Sequence, residues 1–147
     1  AATNLPGKSR LAAALLKAGE ATSDDATVRF VLLREARDTA VAAGEGALAC
    51  RAIDAMSASH KTDVLQMKRS ALADAAKKAR GLDGQKQIAE TALDLVQQAV
   101  EARQLDEAEQ LADVALSAAR KMNSRPLIQR ALLAAQQIKA LQTSGNR

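Results

Sequence analysis

Aromatic side chains are almost missing from this chain. They make up 1% of its 147 residues, a single Phe30 with no Trp and no Tyr, although 48% of the residues are hydrophobic. A core without large rings has to be assembled from Leu, Ile, Val and Ala, and alanine alone accounts for about a quarter of the sequence. Small side chains let backbones approach closely, which suits helices packed side by side and leaves a sheet sandwich poorly filled. Alanine is also the best helix former, with Leu, Gln, Glu, Lys and Arg close behind. The expected fold class is therefore all-α, and the length suits one domain with a core of its own.

Helix punctuation divides the chain into about seven helices. The first spans about Lys8 to Ala21, and Ser23 or Asp24 is placed to cap the second. The second runs to Ala43, where Gly44 supplies a left-handed stop. The third covers about Glu45 to Ser59. After "HKT", the fourth extends from Asp63 to Arg80 and stops at Gly81. The fifth runs from Gln85 to about Arg103. The sixth begins at Asp106, with Glu109 as a capping-box acid, and ends near Met122. Ser124 then caps the seventh, with Pro126 tolerated in its first turn. A single domain over 8–142 results, between a disordered or extended segment 1–7 and a frayed tail 143–147.

Apolar spacing follows the same division. One stripe holds Phe30, Leu33, Ala36, Ala40 and Val41. Another holds Ile88, Ala92, Leu95, Val96 and Ala99, and a third runs from Leu127 to Leu141. Short loops make neighbours in sequence antiparallel neighbours in space. There is also an internal echo. "AVAA" at 40–43 returns as "AVEA" at 99–102, and "KRSALADAAKKA" at 68–79 resembles "QRALLAAQQIKA" at 129–140. Both offsets are about 60 residues, so helices two to four correspond to helices five to seven, the trace that stacked helical repeats leave in a sequence.

The charge is +4, with acids and bases interleaved, which permits an acidic partner without demanding one. No apolar run approaches the ~20 residues needed to cross a bilayer. The opening residues lack both a starting Met and a signal-type apolar segment, and read as the edge of a fragment or of a processed chain.

Few residues suggest chemistry. Cys50 is the only thiol and stands in the middle of a helix, where it reads as a small packed hydrophobe rather than a nucleophile. His60 is the only imidazole and reads as a loop residue, too isolated to found a metal site. Asp24, Asp25, Asp63, Asp83 and Asp106 all fall near helix starts, where capping and the helix dipole explain them better than acid–base catalysis. Met56, Met67 and Met122 read chiefly as core fillers. No enzyme, cofactor or metal is expected. The basic residues Lys68, Arg69, Lys77, Lys78, Arg80 and Lys86 form the one candidate anion-binding set, around the junction of helices four and five. Nucleic acid itself is disfavoured, because there is no recognised binding motif and no aromatic platform for bases. Lys77, Lys78 and Arg80 also sit where cations offset a helix dipole.

From Asp24 to Lys68 the stretches "DDATVRFVLLREA", "AVAAGE", "ALACRAIDAM" and "TDVLQMK" are similar to the pattern of a tetratricopeptide-like helical domain of large planctomycete proteins. Cys50 replaces a usual aliphatic residue of that pattern, and His60 a usual aromatic one. The resemblance extends more loosely over 8–142. It implies a helical-repeat array, solenoid or bundle, in a secreted, periplasmic or cell-envelope protein of a bacterium. It carries over no catalytic residue. The residues themselves leave a cytoplasmic setting open. The expected role is a non-catalytic module that mediates protein–protein association or spaces neighbouring domains of a larger protein, with a protein or peptide partner. The alternative is polyanion binding, to nucleic acid or acidic glycan, through the basic junction.

The stripe on helix two makes a direct prediction. Leu33→Ala should cost ~2–5 kcal/mol as a buried truncation, read by chemical denaturation. A loss under about half a kcal/mol would put the stripe on the wrong face.

Overall fold

The computed structural model describes residues 5–57 and 63–145. Over these residues every regular element is an α-helix, seven in all: α1 (Leu5–Ala21), α2 (Ala26–Ala42), α3 (Gly46–Ser57), α4 (Val64–Lys78), α5 (Gly81–Glu101), α6 (Leu105–Lys121) and α7 (Arg125–Gly145). They gather into two compact units, Ala1–Arg80 and Gly81–Arg147.

Small residues set how closely the helices of the first unit approach. Ala12, Ala40, Ala49 and Ala71 come from four different helices and meet around Ile53. A neighbouring cluster joins Leu16, Leu33, Ala36, Ala52 and Met56. Gly19 on α1 is a notch in this packing. A Cβ there would lie 2.6 Å from a Leu33 methyl carbon, so only a bare Cα lets Leu33 seat against α1. Leu33 is 1% exposed, and Ala36 and Ala40 lie on the same buried face. Phe30 does not join them. It is 41% exposed, one turn before Leu33, so the lone ring of the chain is not a core residue.

Arg29 ties the ends of two helices together. Its guanidinium donates to the carbonyls of Gly19 (2.9 Å) and Glu20 (3.2 Å) in the last turn of α1, and to that of Ala55 (3.4 Å) near the end of α3. Those carbonyls lie in the last turns of their helices, where Gly19 also accepts from Thr22 N–H at 3.2 Å, and a cation there complements the dipole.

The second unit layers α6 against both α5 and α7. Its core takes Ile88, Ala92, Leu95, Val96 and Ala99 from α5. From α6 come Ala108, Leu111, Ala115 and Ala118, and from α7 Leu127, Ala131 and Ile138. The whole expected stripe of helix five is buried. On α7, Ile128, Ala134, Ala135 and Leu141 are only half-buried.

The turns after α2 and α5 are built alike. After α2, Gly44 N–H donates to Val41 and Glu45 N–H to Ala40, at 3.0 and 2.8 Å. After α5, Arg103 N–H donates to Val100 and Gln104 N–H to Ala99, at 3.0 and 2.9 Å. These are Schellman closures, and each turns on a left-handed residue, Gly44 at φ +74° and Arg103 at φ +61°. The "AVAA" and "AVEA" echo thus falls on matching backbone geometry. The turn after α6 closes the same way, with Asn123 at φ +56°.

Several helix ends differ from the sequence expectation. Asp25, not Ser23 or Asp24, caps α2, its carboxylate accepting from Thr27 N–H (3.0 Å) and Val28 N–H (3.1 Å). α1 begins at Leu5, three residues early, because Pro6 is compatible with a first turn. α4 ends at Lys78, where Ala79 turns extended at ψ 130°. Gly81 does not terminate α4. It is the first residue of α5, so "GLDG" is helical and Asp83 lies in the first turn. α6 begins at Leu105 behind Gln104, leaving Asp106 inside the first turn. Glu109 forms no capping box; it accepts a hydrogen bond from Gln142 on α7 at 3.1 Å. Asp63 occupies the cap position of α4 without a side-chain bond. Met56 is buried and Met67 packs beside it, whereas Met122 is half-buried at the end of α6. His60 and the "HKT" loop lie outside the described residues.

Gly44 and Arg103 occupy the same place in their turns but should respond oppositely to substitution. A Cβ at Gly44 would meet the backbone of Ala79 at 2.7 Å, in addition to the left-handed φ. Gly44→Ala should therefore cost more than the ~1–2 kcal/mol that left-handed backbone alone costs. Arg103→Gly should stay within about 1 kcal/mol of the parent, because relief of φ offsets added chain entropy. Denaturant midpoints of the two variants decide the matter.

Candidate functional site

A groove runs between α5 and α7 on the side of the second unit away from α6, with a volume of about 380 Å³. The helix spacing of its lining follows from the sequence. Leu93, Val96 and Val100 recur at three- and four-residue intervals on α5, and Ala134, Ile138 and Leu141 do so on α7. α6 wedges the two helices apart below, and no large ring is present to fill the space between them. The groove is therefore a consequence of the aromatic-poor composition.

Its walls differ in charge. Asp94, Gln97 and Glu101 stand on the α5 side, and Arg130 and Gln137 on the α7 side. The helices as wholes follow suit: α5 carries four acids against one lysine, and α7 has three basic residues and no acid. Asp94, Glu101 and Arg130 enter none of the ion pairs found among the described residues. Leu133, at the lip, is 58% exposed, and Leu132 beside it is 42% exposed.

The first unit has a groove of its own, about 470 Å³, between α2 and α4. Arg37, Asp38 and Val41 of α2 line it, in the register that Val96, Gln97 and Val100 hold on α5. Its charges are arranged differently. Arg37 and Asp38 pair with each other at 3.0 Å, and Ser70 and Asp74 line the α4 wall.

The candidate anion-binding residues fall in unlike settings. Lys68 is buried, 6% exposed, and its Nζ lies 2.6 Å from Asp54 of α3. A buried ammonium committed to a carboxylate cannot serve an external anion, so Lys68 leaves the set. Sequence reasoning missed this because its partner sits on another helix. Arg69 is half-buried, whereas Lys77, Lys78 and Arg80 are exposed at and beyond the end of α4, Lys77 being 4.0 Å from Asp74. Lys86 belongs to the second unit and lies 3.9 Å from Glu90, one turn along α5.

Cys50 is buried on α3, one turn from Asp54. Burial pushes its thiol up from 9.0 to about 12; the Lys68 ammonium pulls the other way, and the Asp54 carboxylate adds to the rise. Such a thiol stays protonated and is a poor nucleophile. Among the described residues no group of three or more His, Cys, Asp or Glu side chains is placed to hold a metal ion. None of the described helices is long and apolar enough to cross a membrane. Compared with protein families, curated proteins and solved structures, the chain matches nothing.

The raised thiol carries a pH dependence. Between pH 9 and about 12 the folded chain keeps the Cys50 proton and the unfolded chain releases it, so stability falls as pH rises through that window. Cys50→Ala should show a shallower decline than the parent in denaturation midpoints taken from pH 8 to 11. At pH 8 the native thiol should resist alkylation until denaturant is added.

Proposed function

We propose that the chain is a non-catalytic helical module that binds protein, and that the groove between α5 and α7 is its docking face. The observation that carries this reading is the groove's make-up: an apolar floor, charged walls that differ in sign, and an exposed leucine at the lip. Such a surface offers buried apolar area for affinity and rim charges for orientation.

The matching turns after α2 and α5, with grooves in matching register beside them, support a helical-repeat origin for the two units. That is in keeping with the tetratricopeptide-like planctomycete domain that the sequence resembles, and with a role in connecting parts of a larger secreted or envelope protein. The polyanion reading retains Lys77, Lys78 and Arg80, which are exposed together near the end of α4.

Selection of a random peptide library on the immobilised protein tests the docking face. Peptides that bind the parent chain and lose at least about tenfold in affinity to Ala134→Arg would support it. Failure to enrich any peptide, or indifference to that substitution, would overturn it. Retention on heparin tests the other reading. A chain carrying Lys77→Ala, Lys78→Ala and Arg80→Ala should elute with the parent if the groove is the functional face.

A further inference from the structure

The groove between α5 and α7 is self-complementary, and we infer that its occupant is a second copy of this chain. The inference rests on the groove being a protein-docking face and names the partner that fits it. A guest helix lying there meets acids on one side, Asp94 and Glu101, and a base on the other, Arg130. A two-fold axis along the groove lays α5 of each copy against α7 of the other. Every acidic wall then faces a basic wall, at both ends of the interface at once, as a closed two-fold contact requires.

The whole-helix charges act in the same direction, four acids and one lysine on α5 against three basic residues on α7. Charges that enter no ion pair among the described residues acquire a partner across the axis. The apolar parts also correspond. Leu133, 58% exposed, projects at the lip of one groove, and the opposing groove offers the half-buried Val100 and Leu141 to receive it. Burial of such an exposed side chain is favourable. The groove between α2 and α4 lacks this division. Arg37 and Asp38 neutralise each other on one wall, and Asp74 on the other already has Lys77 at 4.0 Å.

The test is a charge exchange. Sedimentation equilibrium of the parent chain from micromolar to hundreds of micromolar should give a monomer–dimer equilibrium that weakens with added salt. Leu133→Asp should shift it at least about tenfold toward monomer while helicity by circular dichroism is kept. Arg130→Glu alone should be monomeric, since acidic then faces acidic. A chain with Asp94→Lys and Glu101→Lys should be monomeric too, since basic faces basic. Mixed one to one, the two variants should form a heterodimer, because both walls are then complementary. A parent chain that stays monomeric throughout, a dimer indifferent to Leu133→Asp, or variants that fail to pair when mixed would overturn the proposal. Peptide selection separates the two readings: a monomer that still selects groove-dependent peptides loses the self-pairing and keeps the docking face.

Discussion

Close approach of helix backbones through alanine and glycine is the constraint on which the rest of this structure depends. Ile53 is surrounded by alanines from four helices, and Leu33 sits in a notch that only Gly19 can provide. Van der Waals attraction falls steeply with distance, so a core of small side chains is cohesive only where backbones come near. Each such contact leaves little tolerance for added volume. Larger residues at these places would force helices apart and expose the leucines between them.

That same economy of volume leaves open spaces beside the helices. A gap beside a pair of helices that flank a third needs a bulky side chain to close it, and the single Phe of this sequence lines neither groove. The grooves beside α2 and α5 are therefore inherent in the composition. What distinguishes them is charge. Arg37 and Asp38 neutralise one wall locally, whereas the acidic α5 and the basic α7 stand apart across their gap. Turns that close alike thus stand beside two surfaces of different character.

The sequence made the helices legible because alanine content, glycine stops and apolar spacing all act locally. The buried stripe of α5 and the left-handed turn at Gly44 could be read residue by residue. Helix starts were harder. Asp24 and Asp25 are equivalent to a propensity argument, and only the path of the chain selects Asp25. Gly81 looked like a stop because glycine tolerates positive φ, yet the same freedom let it open α5. Side chains that reach between helices left no signal. Lys68 seemed available in a run of basic residues, but its partner Asp54 lies on the preceding helix. Phe30 fell on the apolar stripe of α2 and still faces outward. The groove was invisible for the same reason: it belongs to two helices that are not consecutive, and its opposed charges appear only when α5 and α7 are set side by side.

Arg29 adds a polar tie to pieces that meet largely through small apolar side chains, alongside the 3.9 Å pair of Arg51 on α3 with Glu20 on α1. Its guanidinium, carried on α2, holds carbonyls at the far ends of α1 and α3. A pull along α1 would arrive at this clamp and be divided among three rods sliding in shear, instead of peeling one away from the next. The first unit would resist such traction at that point through a planar cation that reaches both helices at once.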